Sequence, residues 1–276
     1  MSRGNGSIRR HVWVWDDGQI RRRRDAVAIE EPLEIRLQAG GVMQPLMTTM
    51  RTPGADFELA AGFLLAEGLV SAREQIGSIR YCVDGEQLYN TLTVDLRLPQ
   101  LPPLAHLERR FVIGSACGVC GRAALDDLVV RGLTPLAPTA PLDPQTLTLL
   151  PDRLREAQAG FAATGGVHAA ALFDRGGNLM TLREDVGRHN AVDKLVGWAL
   201  LNRQMPLHHT IMLVSGRPSY EIVQKALVAG IPIVAAVSAP SSLAVQLAQQ
   251  FSITLVGFLR GRRFNIYSAA HRLGLE

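Results

Sequence analysis

"IMLVSGRPSYEIVQKALVAGIPIVAAV", residues 211–237, is the stretch that decides the fold. It opens with an apolar run, Ile211–Val214, passes through a turn holding Gly216 and Pro218, and continues into a helical segment, Ser219–Ala229. A second apolar run, Ile231–Val237, follows at once. Near-continuous apolar strands separated by a helix are the mark of a sheet covered on both faces. Downstream the pattern repeats, with a helix over Ser241–Phe251 and a strand over Thr254–Phe258. Upstream the reading gives strands at Val167–Phe173 and Leu179–Leu182, then a helix from Asn190 to Leu201. In such layered α/β sheets, ligands sit at strand C-termini and helix N-termini.

The first half has a different texture. Ala26–Leu37 alternates partly between apolar and polar residues and predicts a strand broken at Pro32; Met43–Met50 predicts a second. Asp56 is placed to cap an amphipathic helix over Phe57–Leu69. Ile79–Val83 and Leu88–Leu96 predict a hairpin around Asp84-Gly85. Pro99–Pro103 marks a boundary, and the four prolines of 132–144 an extended connector. Helices are expected at Arg122–Val130 and Leu147–Ala159. The expected organisation is a basic, mobile arm over 1–25, a small α+β domain over 26–103 and a larger α/β domain over 104–276.

The chain has 276 residues, three cysteines and a formal charge of +4. Residues 1–24 hold seven arginines against two aspartates, a net +5, so the excess lies in the arm. The arm reads as a solubilising tail. No aromatic stacking accompanies its arginines, and nucleic acid is disfavoured as a partner. No window approaches the roughly 18 uninterrupted apolar residues of a membrane span. The first twenty residues lack the apolar core of a signal peptide, and a cytoplasmic protein is expected.

"GSACGVCG", residues 114–121, places Cys117 and Cys120 in a C-x-x-C spacing between an apolar strand and a helix. A helix N-terminus stabilises thiolates, and small residues let a large partner approach. Half a zinc site, a redox pair and a sulfur carrier all use this spacing. Zinc needs three or four ligands, and Cys82 stands alone. His168 could complete a catalytic set. However, His168-Ala169-Ala170 has alanine where a deaminase carries its glutamate, and Ala116 replaces the proline before the first cysteine. No resident metal is expected.

"REDVGRHNAVDK", residues 183–194, lies between a strand and a helix, and its polar cluster marks Asp185, Arg188 and His189 as site candidates. A histidine transfers protons near neutrality, and an arginine suits phosphate or pterin. Ser215-Gly216-Arg217-Pro218-Ser219 and Ser238-Ala239-Pro240-Ser241-Ser242 each follow a strand and open a helix, where backbone N–H groups bind anions. Ser215 and Ser238 are the candidates there. Phe258-Leu259-Arg260-Gly261-Arg262-Arg263 ends the last predicted strand in a cationic loop suited to a polyanion.

These motifs occur together and in order with "TGGVHAAAL" and "TPGADFELAAGFLLAEGLV", and the set resembles the FdhD family, accessory sulfurtransferases for formate dehydrogenase, over about residues 26–268. The resemblance implies a homodimer whose larger domain has a cytidine-deaminase-like sandwich fold. It implies that sulfur is taken from a cysteine desulfurase as a cysteine persulfide and delivered to the molybdenum cofactor, bis-molybdopterin guanine dinucleotide, so activating formate dehydrogenase. Cys117 matches the persulfide-bearing residue and Cys120 its neighbour. Phe258, Leu259, Arg260, Gly261, Arg262 and Arg263 match the cofactor-binding segment, with the guanine nucleotide portion as its ligand. Two other readings stand beside this one: a cofactor-binding chaperone that carries no sulfur, and a zinc hydrolase.

Overall fold

The computed structural model describes residues 6–82, 89–104 and 121–275, with side chains from residue 125 in the last segment. Cys117, Cys120 and the 84–85 turn lie outside the described residues.

The main sheet has six strands in the order β12-β11-β10-β9-β7-β8. Its elements are β7 (His168–Phe173), β8 (Leu179–Asp185), β9 (Ile211–Val214), β10 (Ile233–Ala236), β11 (Thr254–Arg260) and β12 (Arg263–Ser268). Strands β9, β10 and β11 run parallel, as the opening stretch requires. β7, β8 and β12 pair antiparallel to their neighbours. Both faces are covered. Ile211 and Leu213 pack with Leu147, Leu150 and Leu154 of α3 (Pro144–Ala157). Met212 and Val214 face the other way, toward α5 (Arg188–Leu201), α6 (Tyr220–Val228) and α7 (Ser242–Gln250).

A second sheet, in the order β4-β3-β6-β5, is built from β3 (Glu31–Ala39), β4 (Val42–Arg51), β5 (Ile76–Tyr81) and β6 (Thr91–Leu96). Leu33, Ile35, Leu37 and Ala39 alternate inward along β3. Pro32 lies ahead of the residues that pair with β6, so its missing N–H interrupts nothing there. Pro45 stands on the edge strand β4, at an irregularity in the register.

Helix α1 (Asp56–Ala66) is where the structure departs from an amphipathic reading. Leu59 through Ala66 are all buried, because the helix lies between the second sheet and α5. Gly62 and Gly197 allow the crossing: a Cβ on Gly62 would stand 1.9 Å from the Asp193 carbonyl oxygen, and one on Gly197 1.8 Å from that of Glu58. Asp56 does not cap the helix. It is buried and holds Arg51 at 2.9 Å and the Tyr81 hydroxyl at 3.0 Å.

The segments 26–103 and 104–276 each carry a sheet, but one cluster of buried apolar side chains runs through both. Polar contacts reinforce the junction. Arg183 pairs with Glu58 at 2.5 Å, and Lys194 donates to the Thr52 carbonyl at 2.8 Å. The two helices expected from 122 to 159 are α2 (Gly121–Val130) and α3, and a short α4 (Ala159–Thr164) follows. Glu184 accepts from the N–H groups of Gly160 and Phe161 and so satisfies the start of α4. The basic arm, expected as a tail, is instead a two-stranded antiparallel ribbon, β1 (Ser7–Asp16) and β2 (Gln19–Ala28). Consecutive arginines hid its alternation.

Candidate functional site

Strand direction alone gathers most of the candidate residues on one rim. β9, β10 and β11 end there, so Ser215, Ser238 and Phe258–Arg263 share it. β7 runs oppositely and begins there: the Ser215 N–H donates to the Ala169 carbonyl at 2.9 Å, and the Ala169 N–H donates to Ser215 Oγ at 2.9 Å. β8 ends at the same edge, with Asp185 opposite His168. Arg188 then opens α5.

These side chains have different roles. Asp185 is fully buried. It takes Lys194 Nζ at 2.6 Å and the N–H groups of Thr52 and Gly187 at 3.1 and 2.8 Å. Asp185 is therefore an anchor between the two halves, not a solvent-facing acid. His168, Arg188 and Gly216 are neighbours: a Cβ on Gly216 would stand 3.3 Å from His168 Nδ1 and 3.6 Å from Arg188 Cβ. Burial and the Arg188 charge lower the His168 pKa, although Asp185 opposes them. Arg188 Nε is buried without a hydrogen-bond partner, so this guanidinium has donor capacity to spare.

His189 Nε2 lies 3.1 Å from Ser219 Oγ and 3.3 Å from Glu221. Burial pushes its pKa down to about 4, with Arg188 adding to the effect and Glu221 opposing it, so the ring is neutral at pH 7. Ser219 and Glu221 were not singled out from sequence, because an N-cap serine and a first-turn glutamate are ordinary at a helix start. Ser241 does act as a cap, accepting from the Ala244 N–H at 3.3 Å. Its own N–H donates to the Pro218 carbonyl at 3.1 Å, joining the two serine turns.

The cationic loop is the tip of the β11–β12 hairpin. Gly261 has φ +53°, a turn conformation that glycine adopts without strain. Phe258 also has positive φ, +53°, inside an irregular stretch of pairing. A non-glycine residue is held there only by its surroundings, here the Ser238 carbonyl, which accepts the Phe258 N–H at 3.2 Å. The bulge turns the ring outward, 40% exposed. Leu259 points the other way. It is fully buried in the α3-side core, so it supports the segment and does not line a site. A cleft of about 270 Å³ is lined by Phe258, Arg260, Arg263 and Asn265. Asn265 lies on β12, a strand the sequence reading left unassigned; its alternation, R-F-N-I-Y-S, was the signal. Arg260 donates from Nε to the Val237 carbonyl at 3.0 Å, which fixes the hairpin against the second serine turn.

The rim thus offers a neutral imidazole, guanidinium groups and an exposed aromatic ring in one place. No group of three or more His, Cys, Asp or Glu among the described residues is placed to hold a metal ion. No described helix is long and apolar enough to cross a membrane. The class is a mixed α/β protein with several sheets, seven helices among the described residues and a cationic rim at the strand ends of its larger sheet.

The comparisons with known proteins define it further. The model of the FdhD/NarQ family matches residues 28–274, and the chain belongs to that family. It is 50% identical over 279 residues to the sulfur carrier protein FdhD of Streptomyces avermitilis, covering 99% of this chain and 98% of that protein. It is 51% identical over 272 residues to the protein of the same name from Nocardia farcinica, covering 96% and 94%. Among solved structures it matches one described as a formate dehydrogenase accessory protein from Desulfotalea psychrophila. That match has a TM-score of 0.74 and 27% identity, covering 97% of this chain and 99% of the other.

Proposed function

We propose that this chain is a cytoplasmic, homodimeric sulfur carrier that accepts sulfur from a cysteine desulfurase as a persulfide on Cys117. It passes that sulfur to bis-molybdopterin guanine dinucleotide destined for formate dehydrogenase. The larger sheet is read as the family's cytidine-deaminase-like sandwich. The observation that carries the proposal is the convergence of Phe258, Arg260, Arg263 and the two serine turns on one rim, in a chain whose close relatives are named sulfur carriers.

The Cys117 thiolate attacks the outer sulfur of the desulfurase persulfide. The old sulfur–sulfur bond breaks, the desulfurase thiolate leaves, and Cys117 holds the new persulfide. Cys120 directly precedes Gly121, the first described residue of α2, and a helix N-terminus favours thiolates. The cofactor is substrate here. Its phosphates meet Arg260, Arg262 and Arg263, and Phe258 packs against a ring. Delivery follows one of two routes. Cys120 attacks Cys117 Sγ, forming a disulfide and releasing hydrosulfide, or Cys120 relays the outer sulfur onward.

The first test incubates purified protein with a desulfurase and cysteine and measures cyanide-labile sulfur. Cys117→Ala is expected to abolish the label with an unchanged circular dichroism spectrum. Retained sulfuration of the cofactor by that variant would sink the assignment, and no label on the wild type would favour the chaperone reading. The second test is calorimetry with GDP. Arg260→Ala/Arg262→Ala is expected to weaken binding by roughly tenfold or more, since charge-assisted hydrogen bonds contribute about 1.5–3 kcal/mol each. Unchanged affinity removes these arginines from the nucleotide site.

A further inference from the structure

The β1–β2 ribbon takes no part in the site described above. It packs on α4, with Ala28 beside Gly166 and Gly6 beside Thr52 at its base. At ten residues per strand, it extends about 30 Å. Among the described residues no third strand pairs with it, so both outer edges keep free N–H and C=O groups. Trp13 and Trp15 are 72% and 71% exposed. Large aromatic side chains left that open beside unpaired backbone mark a surface made for another chain.

We propose that the free edge of β1 pairs, antiparallel, with β1 of a second copy of this chain. The order of charges along the strand supplies the argument. β1 begins with Arg9 and Arg10 and ends at Asp16, followed by Asp17. Antiparallel self-pairing with Trp13 at the two-fold axis sets Arg10 opposite Asp16, His11 opposite Trp15 and Val12 opposite Val14. Both ends then gain opposite charges, and each exposed tryptophan gains a neighbour across the new ladder, Trp13 in addition to the Arg22 guanidinium 6.0 Å from its ring centre. Asp16 already holds Arg21 of its own copy at 3.1 Å on the surface, and its second oxygen remains to accept another donor.

The other edge is ruled out by its sequence. β2 carries Arg21 to Arg24 in succession, so pairing β2 with itself sets guanidinium groups against one another. Pairing β1 of one copy with β2 of another is head-to-tail and leaves further edges open for growth. Self-pairing of β1 is isologous and closes.

This inference rests on the dimer stated above but not on sulfur transfer, and charge-swapped variants test it. Arg10→Glu sets acid against acid at both ends, and Asp16→Arg sets base against base. Light scattering behind size-exclusion chromatography, over a dilution series, is expected to give a dimer for the wild type and a monomer for each variant. Mixing the two variants restores opposite charges at both ends and is expected to restore a dimer containing one copy of each. Tryptophan emission is expected to shift to the red in each variant alone and back in the mixture. A monomeric wild type overturns both the dimer and its surface. Variants that remain dimeric, or a mixture that remains monomeric, overturn the surface alone. Persulfide loading of the same samples, read separately, reports on sulfur transfer.

Discussion

His189 shows how burial sets a residue's chemistry. Its pKa falls to about 4 because the ring is partly withdrawn from water beside Arg188. The ordinary value is about 6.5. Between these two values the unfolded chain binds more protons than the native one, so stability falls as pH drops from 6.5 toward 4. Asp193 acts in the opposite direction. Burial raises it to about 6, against the pull of Lys225, and the native state then takes up the proton first on acidification. The difference between variants isolates one group from the other. Urea denaturation at pH 7 and pH 4.5 is expected to show a smaller acid-side loss for His189→Gln than for the wild type. An identical loss in both would show that His189 carries none of it. None of this was legible at position 189 itself. The sequence displays a histidine in a polar cluster, and what surrounds it comes from α6 and β7, far along the chain.

At the scale of elements, the α1–α5 crossing depends on two glycines. Each costs about 1 kcal/mol of helix propensity relative to alanine, and both are kept because the backbones nearly touch. Gly62→Ala is expected to force the helices apart and destabilise the protein by roughly 1–3 kcal/mol, despite the better propensity, with the loss read from a urea midpoint. A gain in stability would show that the crossing tolerates a side chain. Helices and strands with strong periodicity were legible: Ile211–Val214 has the predicted bounds, and α6 and α7 fall within a residue of theirs. Elements whose pattern is masked by charge were not. In β1 and most of β2 the exposed positions mix Ile8, Trp13, Trp15 and Ile20 with arginines, so no apolar face stands out, whereas the alternation of β12 could have been read.

For the whole molecule, the decisive residue is Asp185. Its carboxylate ties Lys194 in α5 to Thr52, beyond β4, across a junction that the sequence presents as a proline-rich boundary. Asp185→Ala leaves the Lys194 ammonium buried and unpaired and is expected to cost about 3–5 kcal/mol, measured by chemical denaturation. Because one apolar core spans both sheets, that loss is expected within a single transition, with no separate melting of residues 26–103. Two resolved transitions would mean that the halves are independent.

The sequence by itself determined the layered α/β sheet, because apolar period and turn chemistry are local properties of the chain. It also determined which motifs converge, since parallel strands must end on one edge. Only the tertiary structure decided what each polar residue does there. Asp185 became an anchor, Leu259 a core residue and Phe258 an exposed ring. The partners that settle those roles lie on other strands and helices, and no local pattern records them.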